Sequence, residues 1–231
     1  MSAKKHIVVL TGAGVSAESG IRTFRDTDGL WENYRIEDVA TPEGFEANPQ
    51  LVLDFYNQRR RDVQHVFPNA AHTGLAELEK DYEVTIVTQN IDDLHERGGS
   101  THVVHLHGEI LKMRSVLDGE TIYPSNGDIN TGDIAADGGQ LRPHIVWFGE
   151  GVPMIEKAAA IMTDADIFIC IGTSLQVYPA AGLIDFVPAF APKYIIDKNI
   201  PDVGNYKNIV TIEKPATEGV QELIKLLATT Q

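Results

Sequence analysis

The sequence predicts an α/β protein: a doubly wound, parallel, Rossmann-like sheet with a small inserted lobe. Three observations predict it. Apolar runs of strand length recur at 6–10, 84–87, 166–171, 193–196 and 208–212. Helix-period patterns over 49–66, 70–80, 153–162, 180–186 and 217–227 separate several of them. Strands alternating with helices build a parallel sheet covered on both faces. The polar, turn-forming signatures fall just after strands, where such sheets collect ligands.

The first strand, Ile7-Val8-Val9-Leu10, stops at Thr11-Gly12-Ala13-Gly14, and small helix-compatible residues follow. Gly12, Gly14 and Ala17 fill a G-x-G-x-x-G/A pattern, which lets backbone amides approach a pyrophosphate at a helix N-terminus. A tight strand-to-helix turn without a ligand is the plain alternative. An ordinary dinucleotide fold also wants an acidic residue about twenty positions on, at the end of a second strand. Glu32, Glu37 and Asp38 lie there, but no strand is legible around Trp31, Tyr34 and Pro42. The segment 22–48 is instead rich in turn formers and aromatics. The helix expected over 49–66 carries Leu51, Val52, Phe55, Tyr56 and Val63 on its apolar positions.

The strand at 84–87 runs into Thr88-Gln89-Asn90-Ile91-Asp92. An Asn and an Asp at a strand exit can hold an amide such as that of nicotinamide, one accepting from its NH2 and the other meeting its carbonyl. Either can equally cap the next helix. His105 and His107 alternate, so an extended chain turns them to opposite faces. Each titrates near neutrality and can act as a base, and Gly108 beside His107 allows close approach. The stretch 113–142 is polar and rich in Gly, Asp and Asn. It reads as a small lobe with a hairpin about Ser125-Asn126-Gly127 and apolar anchors at Ile122, Tyr123, Ile129 and Ile134. Gly172-Thr173-Ser174 follows the strand at 166–171, whose Cys170 reads as a core thiol.

The chain has 231 residues, enough for one large domain, or one with a small insert, and ample core. Its net charge of −14 repels phosphate backbones, so neither nucleic acid nor an anionic membrane is an expected partner. The one basic cluster, Arg59-Arg60-Arg61, is too short to reverse this; Arg60 and Arg61 are expected to face solvent. No apolar run reaches membrane-spanning length, and the first residues lack the apolar core of a secretory signal. With a single cysteine no disulfide forms within the chain, and a reducing cytoplasm is the expected compartment.

These pieces occur together in one order: GAGVSAESGIRTFRDTDGLW, TQNIDDLH, HLHG, RPHIVWFGE and IGTSLQVYPA. In that order the chain resembles the sirtuin (Sir2) family of NAD-dependent protein lysine deacylases over nearly its whole length. The resemblance implies a single catalytic domain over 1–231, with small-lobe insertions at about 25–66 and 111–142. It implies NAD as a consumed co-substrate and acyl-lysine proteins or peptides as partners of a monomer. By resemblance Gly12, Ala13, Gly14 and Ala17 line the pyrophosphate, and Phe24 and Arg25 belong to the loop over the cofactor. Gln89, Asn90, Ile91 and Asp92 surround the nicotinamide side, with His107 as general base. Gly172, Thr173 and Ser174 meet the phosphate and ribose region. Asp197, Lys198 and Asn199 fall where the family contacts the adenosine ribose, although its usual Asn-Leu-Glu wording is absent, and Ala216 where it contacts adenine. Ile145, Val146, Trp147 and Phe148 resemble the strand that pairs with an extended substrate peptide.

One subgroup of the family prefers succinyl and malonyl groups; its marks are an alanine before Thr-Pro and a Tyr-x-x-Arg pair on the following helix. Here Ala40-Thr41-Pro42 precedes Tyr56-Asn57-Gln58-Arg59. Residues three apart share a helix face, and a guanidinium gives a carboxylate two parallel donors beside the phenol. The plain alternative packs Tyr56 in the core and pairs Arg59 with an acid such as Asp62. The chain therefore reads as a desuccinylase and demalonylase with weaker deacetylation. It departs from the family at the structural zinc. Ser115, Asp118, Ile134 and Asp137 stand where two Cys-x-x-Cys pairs are usual, so no zinc is expected. Two rivals share the cofactor: an NAD-dependent protein ADP-ribosyltransferase, and a catalytically silent NAD-binding sensor.

Overall fold

The first apolar run forms strand β1 (His6–Thr11) in a computed structural model that describes residues 4–22, 30–31, 33–125 and 127–229. In chain order there follow α1 (Gly14–Ala17), β2 (Leu30–Trp31), β3 (Tyr34–Arg35), α2 (Ile36–Val39), α3 (Pro42–Ala47) and α4 (Pro49–His65). Next come α5 (Ala70–Leu78), β4 (Glu83–Thr88), α6 (Leu94–Arg97), β5 (Val103–His105), β6 (Gly108–Ser115), β7 (Ile122–Pro124) and β8 (Leu141–Ile145). The chain ends with α7 (Ile155–Thr163), β9 (Ile167–Ile171), a 3-10 segment (Ala180–Phe186), β10 (Lys193–Asp197), β11 (Ile209–Glu213) and α8 (Ala216–Ala228). Phe24, Arg25 and Asn126 lie outside the described residues.

All five expected strands form, and with β5 they make one parallel sheet ordered β11-β10-β9-β1-β4-β5. Alternation along β1 supplies both faces. Ile7 and Val9 pack with Leu75 and Leu78 of α5 and Val220 and Leu223 of α8. Val8 and Leu10 pack with Ala158 and Met162 of α7 and with Leu183 and Ile184. The strand order reverses about β1, which has β4 on one side and β9 on the other. A crevice opens at the carboxyl ends of strands flanking such a switch point. Cys170 of β9 is buried in this core, and burial pushes its thiol up, away from the reactive thiolate.

Caps fix where the lobe helices begin. Asn48 accepts from the Leu51 amide at 3.1 Å with Pro49 at the first helical position, which starts α4. Thr41 accepts from the Gly44 amide at 3.0 Å ahead of Pro42, which starts α3. The apolar face of α4 meets β6, β8 and the aromatic residues before it. Val39, Ala40, Val52, Phe55, Tyr56, Ile110, Ile145 and Trp147 share one core there.

Three expectations about the lobe need correction. Arg60 does not face solvent: it is 1 % exposed. Its Nε–H donates to the Ile110 carbonyl at 2.8 Å, and one Nη–H donates to Asn57 Oδ1 at 2.7 Å. The apolar anchors Ile122 and Ile134 are largely exposed, whereas Ile129 is buried as expected. The reversal that matters is not at 125–127. β6, β7 and β8 form a three-stranded sheet, and the β6–β7 turn spans 116–121, with Met113 opposite Tyr123. Buried polar side chains join the apolar ones in holding the lobe, and these leave no periodicity to read. Asn57 clamps the backbone of Ile129 from both sides, donating to its carbonyl at 2.9 Å and accepting from its amide at 2.9 Å.

Candidate functional site

The three turns expected to carry chemistry meet at the β1 switch point. The Gly12 and Gly14 amides donate to the carbonyls of Ile171 and Gly172 at 3.0 and 2.8 Å, so these amides are engaged within the protein. The glycines serve close approach instead. A Cβ on Gly14 would stand 2.6 Å from the Gly172 Cα, and one on Gly12 2.7 Å from the Thr173 Cβ. Gly172 itself has φ +62°. Between the two glycines, the Ala13 amide has no backbone acceptor among the described residues. Gln89 joins the turns from the side, its amide donating to Thr173 Oγ1 at 3.1 Å.

Behind this cradle lies a directed chain of buried polar groups. The Asn69 amide donates to His72 Nδ1 at 3.1 Å, so the proton of the neutral ring is on Nε2, which donates to Ser16 Oγ at 3.4 Å. Burial lowers the His72 pKa to about 4, which keeps that ring neutral. Asn90 Nδ2 also donates to Ser16 Oγ, at 3.1 Å, and the serine hydroxyl is a hydrogen-bond partner of the Asp92 carboxylate. The Leu94 amide donates to Asp92 Oδ1 at 3.1 Å. Burial raises the Asp92 pKa against these bonds. Asn90 and Asp92 are thereby fixed side by side on one serine, and Asn90 Oδ1 accepts no hydrogen bond among the described residues. Neither side chain caps α6, whose N-cap position is Asp93; the Asp92 carboxylate closes a turn onto the Leu94 amide.

His105 and His107 anchor the same segment. His107 Nδ1–H donates to the Gln89 carbonyl at 3.0 Å, and His105 Nδ1–H donates to the Asn90 carbonyl at 3.1 Å. With Nδ1 protonated, His107 keeps its lone pair on Nε2. Burial lowers its pKa, so the free base is the form present at neutral pH. His105 differs. Burial works against its charge, but the Glu96 carboxylate at 2.8 Å outweighs burial and raises its pKa.

A second pocket adjoins, built by α4. Tyr56 is 0 % and Arg59 7 % exposed, one turn apart, with Ala40 buried beside them. The Trp147 indole donates to Tyr56 Oη at 3.1 Å. No acceptor for the phenol's own proton is present among the described residues, and burial pushes its pKa up, so the proton stays. The Arg59 guanidinium lies 4.3 Å over the Trp31 ring. Asp62, the acid considered for Arg59, accepts instead from Gln58 at 2.7 Å.

The expected peptide-binding strand is shorter than the motif suggests, since β8 ends at Ile145. The amides of Val146, Trp147 and Phe148 donate to the His107 carbonyl, the Glu150 carboxylate and the Ala40 carbonyl at 2.9, 2.8 and 2.9 Å. The remaining expected residues sit at the sheet's carboxyl end. Asp197 closes β10 and accepts from the Asn199 amide at 2.9 Å; Lys198 and Asn199 are exposed, and Ala216 opens α8. The glycine cradle and the unmet Asn90 acceptor fit a dinucleotide with a terminal amide.

The positions expected to replace zinc ligands do not fit a tetrahedral metal. Ser115 Oγ donates to Asp137 at 2.9 Å, and the Asp118 and Gly139 amides donate to the same carboxylate at 3.0 and 2.9 Å. Asp118 accepts from the Glu120 and Thr121 amides, and Ile134 offers no donor atom. Among the described residues no cluster of three metal-binding side chains occurs, and no helix is long and apolar enough to cross a membrane.

Sequence reasoning missed Ser16 and His72. The Asn69-to-His72 spacing of a capping box was the available signal for His72.

A Sir2 family model matches residues 12–179. The chain is 54 % identical over 229 residues to an NAD-dependent protein deacylase of Bacteroides thetaiotaomicron, covering 96 % of this chain and 98 % of that one. It is 52 % identical over 223 residues to one of Helicobacter pylori, covering 96 % and 97 %. Among solved structures, a Sir2 homolog–NAD complex superposes with TM-score 0.86 at 36 % identity, covering 98 % of this chain and 91 % of the other. A complex of Sir2 with a p53 peptide and NAD+ gives TM-score 0.81 at 27 % identity, covering 98 % and 95 %.

Proposed function

We propose that this chain, which belongs to the Sir2 family and is an NAD-dependent protein deacylase, removes succinyl and malonyl groups from lysine side chains, and acetyl groups more weakly. One observation carries the acyl preference. The buried Tyr56 phenol keeps a proton with no acceptor among the described residues, beside the buried Arg59 guanidinium and the small Ala40. A buried donor left unmet costs about 1–3 kcal/mol, and an acyl carboxylate would satisfy it.

NAD would supply the glycosidic bond: the acyl-lysine carbonyl oxygen would displace nicotinamide from it, and water would complete release of lysine and O-acyl-ADP-ribose. The protein's side chains do the rest. Asn90 Oδ1 accepts from the carboxamide NH2, and Asp92, held by Ser16 and Leu94, fixes the other side of that amide. His107 Nε2 takes the proton from a ribose hydroxyl, directly or through its neighbour, as that hydroxyl attacks the acyl carbon. Ala13, with Gly12, Gly14 and Ala17, faces the pyrophosphate; Gly172, Thr173 and Ser174 face the phosphate and ribose. Phe24 and Arg25 cover the cofactor; Ile91 lines its nicotinamide side. Asp197, Lys198, Asn199 and Ala216 meet the adenosine. Ile145, Val146 and Phe148 line the peptide. The lobe works without zinc, in a cytoplasmic monomer.

The test is nicotinamide release measured with succinyl-, malonyl- and acetyl-lysine forms of one peptide. Higher kcat/KM on the two charged acyl groups supports the reading. Preference for acetyl overturns it, and nicotinamide release without deacylation would mark a transferase.

A further inference from the structure

Of the two histidines that frame Leu106, His105 has no part in the chemistry above. Its ring nevertheless lies between two groups that only accept. Nδ1 is 3.1 Å from the Asn90 carbonyl, and Nε2 is 2.8 Å from a Glu96 carboxylate oxygen. We propose that His105, paired with Glu96, is a positioning residue for NAD, its doubly protonated ring holding the Asn90–Asp92 segment where it meets the carboxamide. This rests on the carboxamide grip proposed above.

Three consecutive carbonyls of that segment are gripped from the stretch 105–110. The His107 Nδ1–H holds Gln89, the His105 Nδ1–H holds Asn90, and the Ile110 amide holds Ile91, at 3.0, 3.1 and 2.8 Å. The two outer donors are secure. A neutral imidazole has one N–H, which is all that the His107 bond needs, and a backbone amide keeps its proton. His105 has to supply two, and only the imidazolium has two. When the ring loses a proton, the one that remains stays with the carboxylate, the stronger acceptor. A lone pair then faces the Asn90 carbonyl. The middle grip fails at the residue whose side chain takes the carboxamide.

The surroundings favour the charge. Glu96 lies on α6, beyond Asp92 in the chain, so the pair also ties down the far end of the segment. Burial opposes the charge on the ring, and Glu96, Glu109 of β6 and the Asn90 carbonyl together outweigh it, so the pKa stands above 6.5. Burial alone would raise the Glu96 pKa; His105 and Lys112, itself 2.6 Å from Glu109, bring it below the usual carboxylate range. The Asp92 carboxylate also faces the ring. Burial keeps His95, on the same side, neutral. The His105 side chain is 8 % exposed and Glu96 41 %, so protons reach the pair from the carboxylate side.

The experiment is calorimetry of NAD and of ADP-ribose, which lacks nicotinamide, on the whole chain from about pH 6 to 9. In the wild type the ratio of NAD to ADP-ribose affinity should fall as pH rises past the His105 pKa. Glu96→Gln keeps an acceptor of the same shape and discards the charge, so the fall should begin nearer pH 6.5. At about pH 7.5 that variant should bind NAD about 10-fold more weakly, with ADP-ribose within about two-fold. His105→Gln should bind NAD weakly throughout, with the pH dependence gone. A flat ratio in the wild type, a Glu96→Gln profile equal to the wild type's, or equal losses on both ligands overturns the proposal. Should His105→Gln fail to fold, Glu96→Gln decides alone. Asn90→Ala separates the two claims. An unchanged ratio in Asn90→Ala refutes the carboxamide grip itself; a lowered ratio there with a wild-type profile in Glu96→Gln refutes only the role of His105.

Discussion

His107 donates its Nδ1 proton to the Gln89 carbonyl across 3.0 Å, and that bond decides which nitrogen is the base. Because burial lowers the His107 pKa below the ordinary 6.5, the base form persists on the acid side of neutrality. The acid limb of the kcat/KM profile should therefore fall below pH 6.5. His107→Ala should lose about 100- to 10,000-fold in turnover while still binding NAD in calorimetry. A variant as active as the wild type removes His107 from the mechanism.

Arg59→Met keeps the length and apolar stem of the side chain and discards its donors. Succinyl kcat/KM should drop at least about 10-fold more than acetyl kcat/KM, since a hydrogen bond to a charged group contributes about 1.5–3 kcal/mol. Parallel decline on both substrates would make Arg59 a packing residue.

Asn57→Ala strips the two hydrogen bonds to Ile129 and one from Arg60, all buried. The cost should be about 2–4 kcal/mol, because the orphaned backbone groups and guanidinium cannot reach water. Thermal unfolding should show a Tm lower by several degrees; an unchanged Tm would mean the lobe is held elsewhere.

The clasp of Ser115, Asp118 and Asp137 predicts indifference to chelators. A strong zinc chelator should change neither Tm nor deacylation, and elemental analysis should find far less than one zinc per chain. Stability of the clasp should depend on acid instead. Hydrogen bonds to the carboxylates, from the Gly139 amide to Asp137 and from Thr121 to Asp118, hold both pKa values below 3.8. Their contribution is thus present above pH 3.8 and lost as pH falls through the lowered folded values. Asp137→Asn should remove that dependence, followed by amide exchange at 116–121 across pH.

His72 sets a different acid limit. Its folded pKa of about 4 against 6.5 unfolded means the unfolded chain binds the extra proton first. Stability is full above pH 6.5 and declines toward pH 4, by about 3 kcal/mol in all. Denaturant midpoints measured from pH 7 to 4 check the slope, and His72→Gln should flatten it.

The sheet was legible because its central strands β1 and β9 are apolar on both faces, a pattern that water would punish anywhere else. That Gly12–Gly14, Asn90, Asp92 and His107 gather at one crevice was legible because a strand exit followed by small or polar residues has few structural uses. The lobe was not. Arg60 sits in an Arg-Arg-Arg run that reads as solvated, yet its guanidinium is buried by carbonyls of Ile110 and Gly127, residues distant in sequence. Ser16 and His72 were invisible for a like reason: a serine after a glycine turn and a histidine at a helix start become partners only when α1 and α5 come together. Long-range satisfaction of polar groups leaves no periodicity to read.

Cys170 is walled inside the central strand β9, and every other position that could carry sulfur as a metal-holding thiolate is a hydroxyl, a carboxylate or an alkyl group. Peroxide therefore finds no cysteine thiolate in the small lobe to oxidise. Such a protein would go on answering to nicotinamide dinucleotide levels through an oxidative burst that strips zinc from thiolate-built domains.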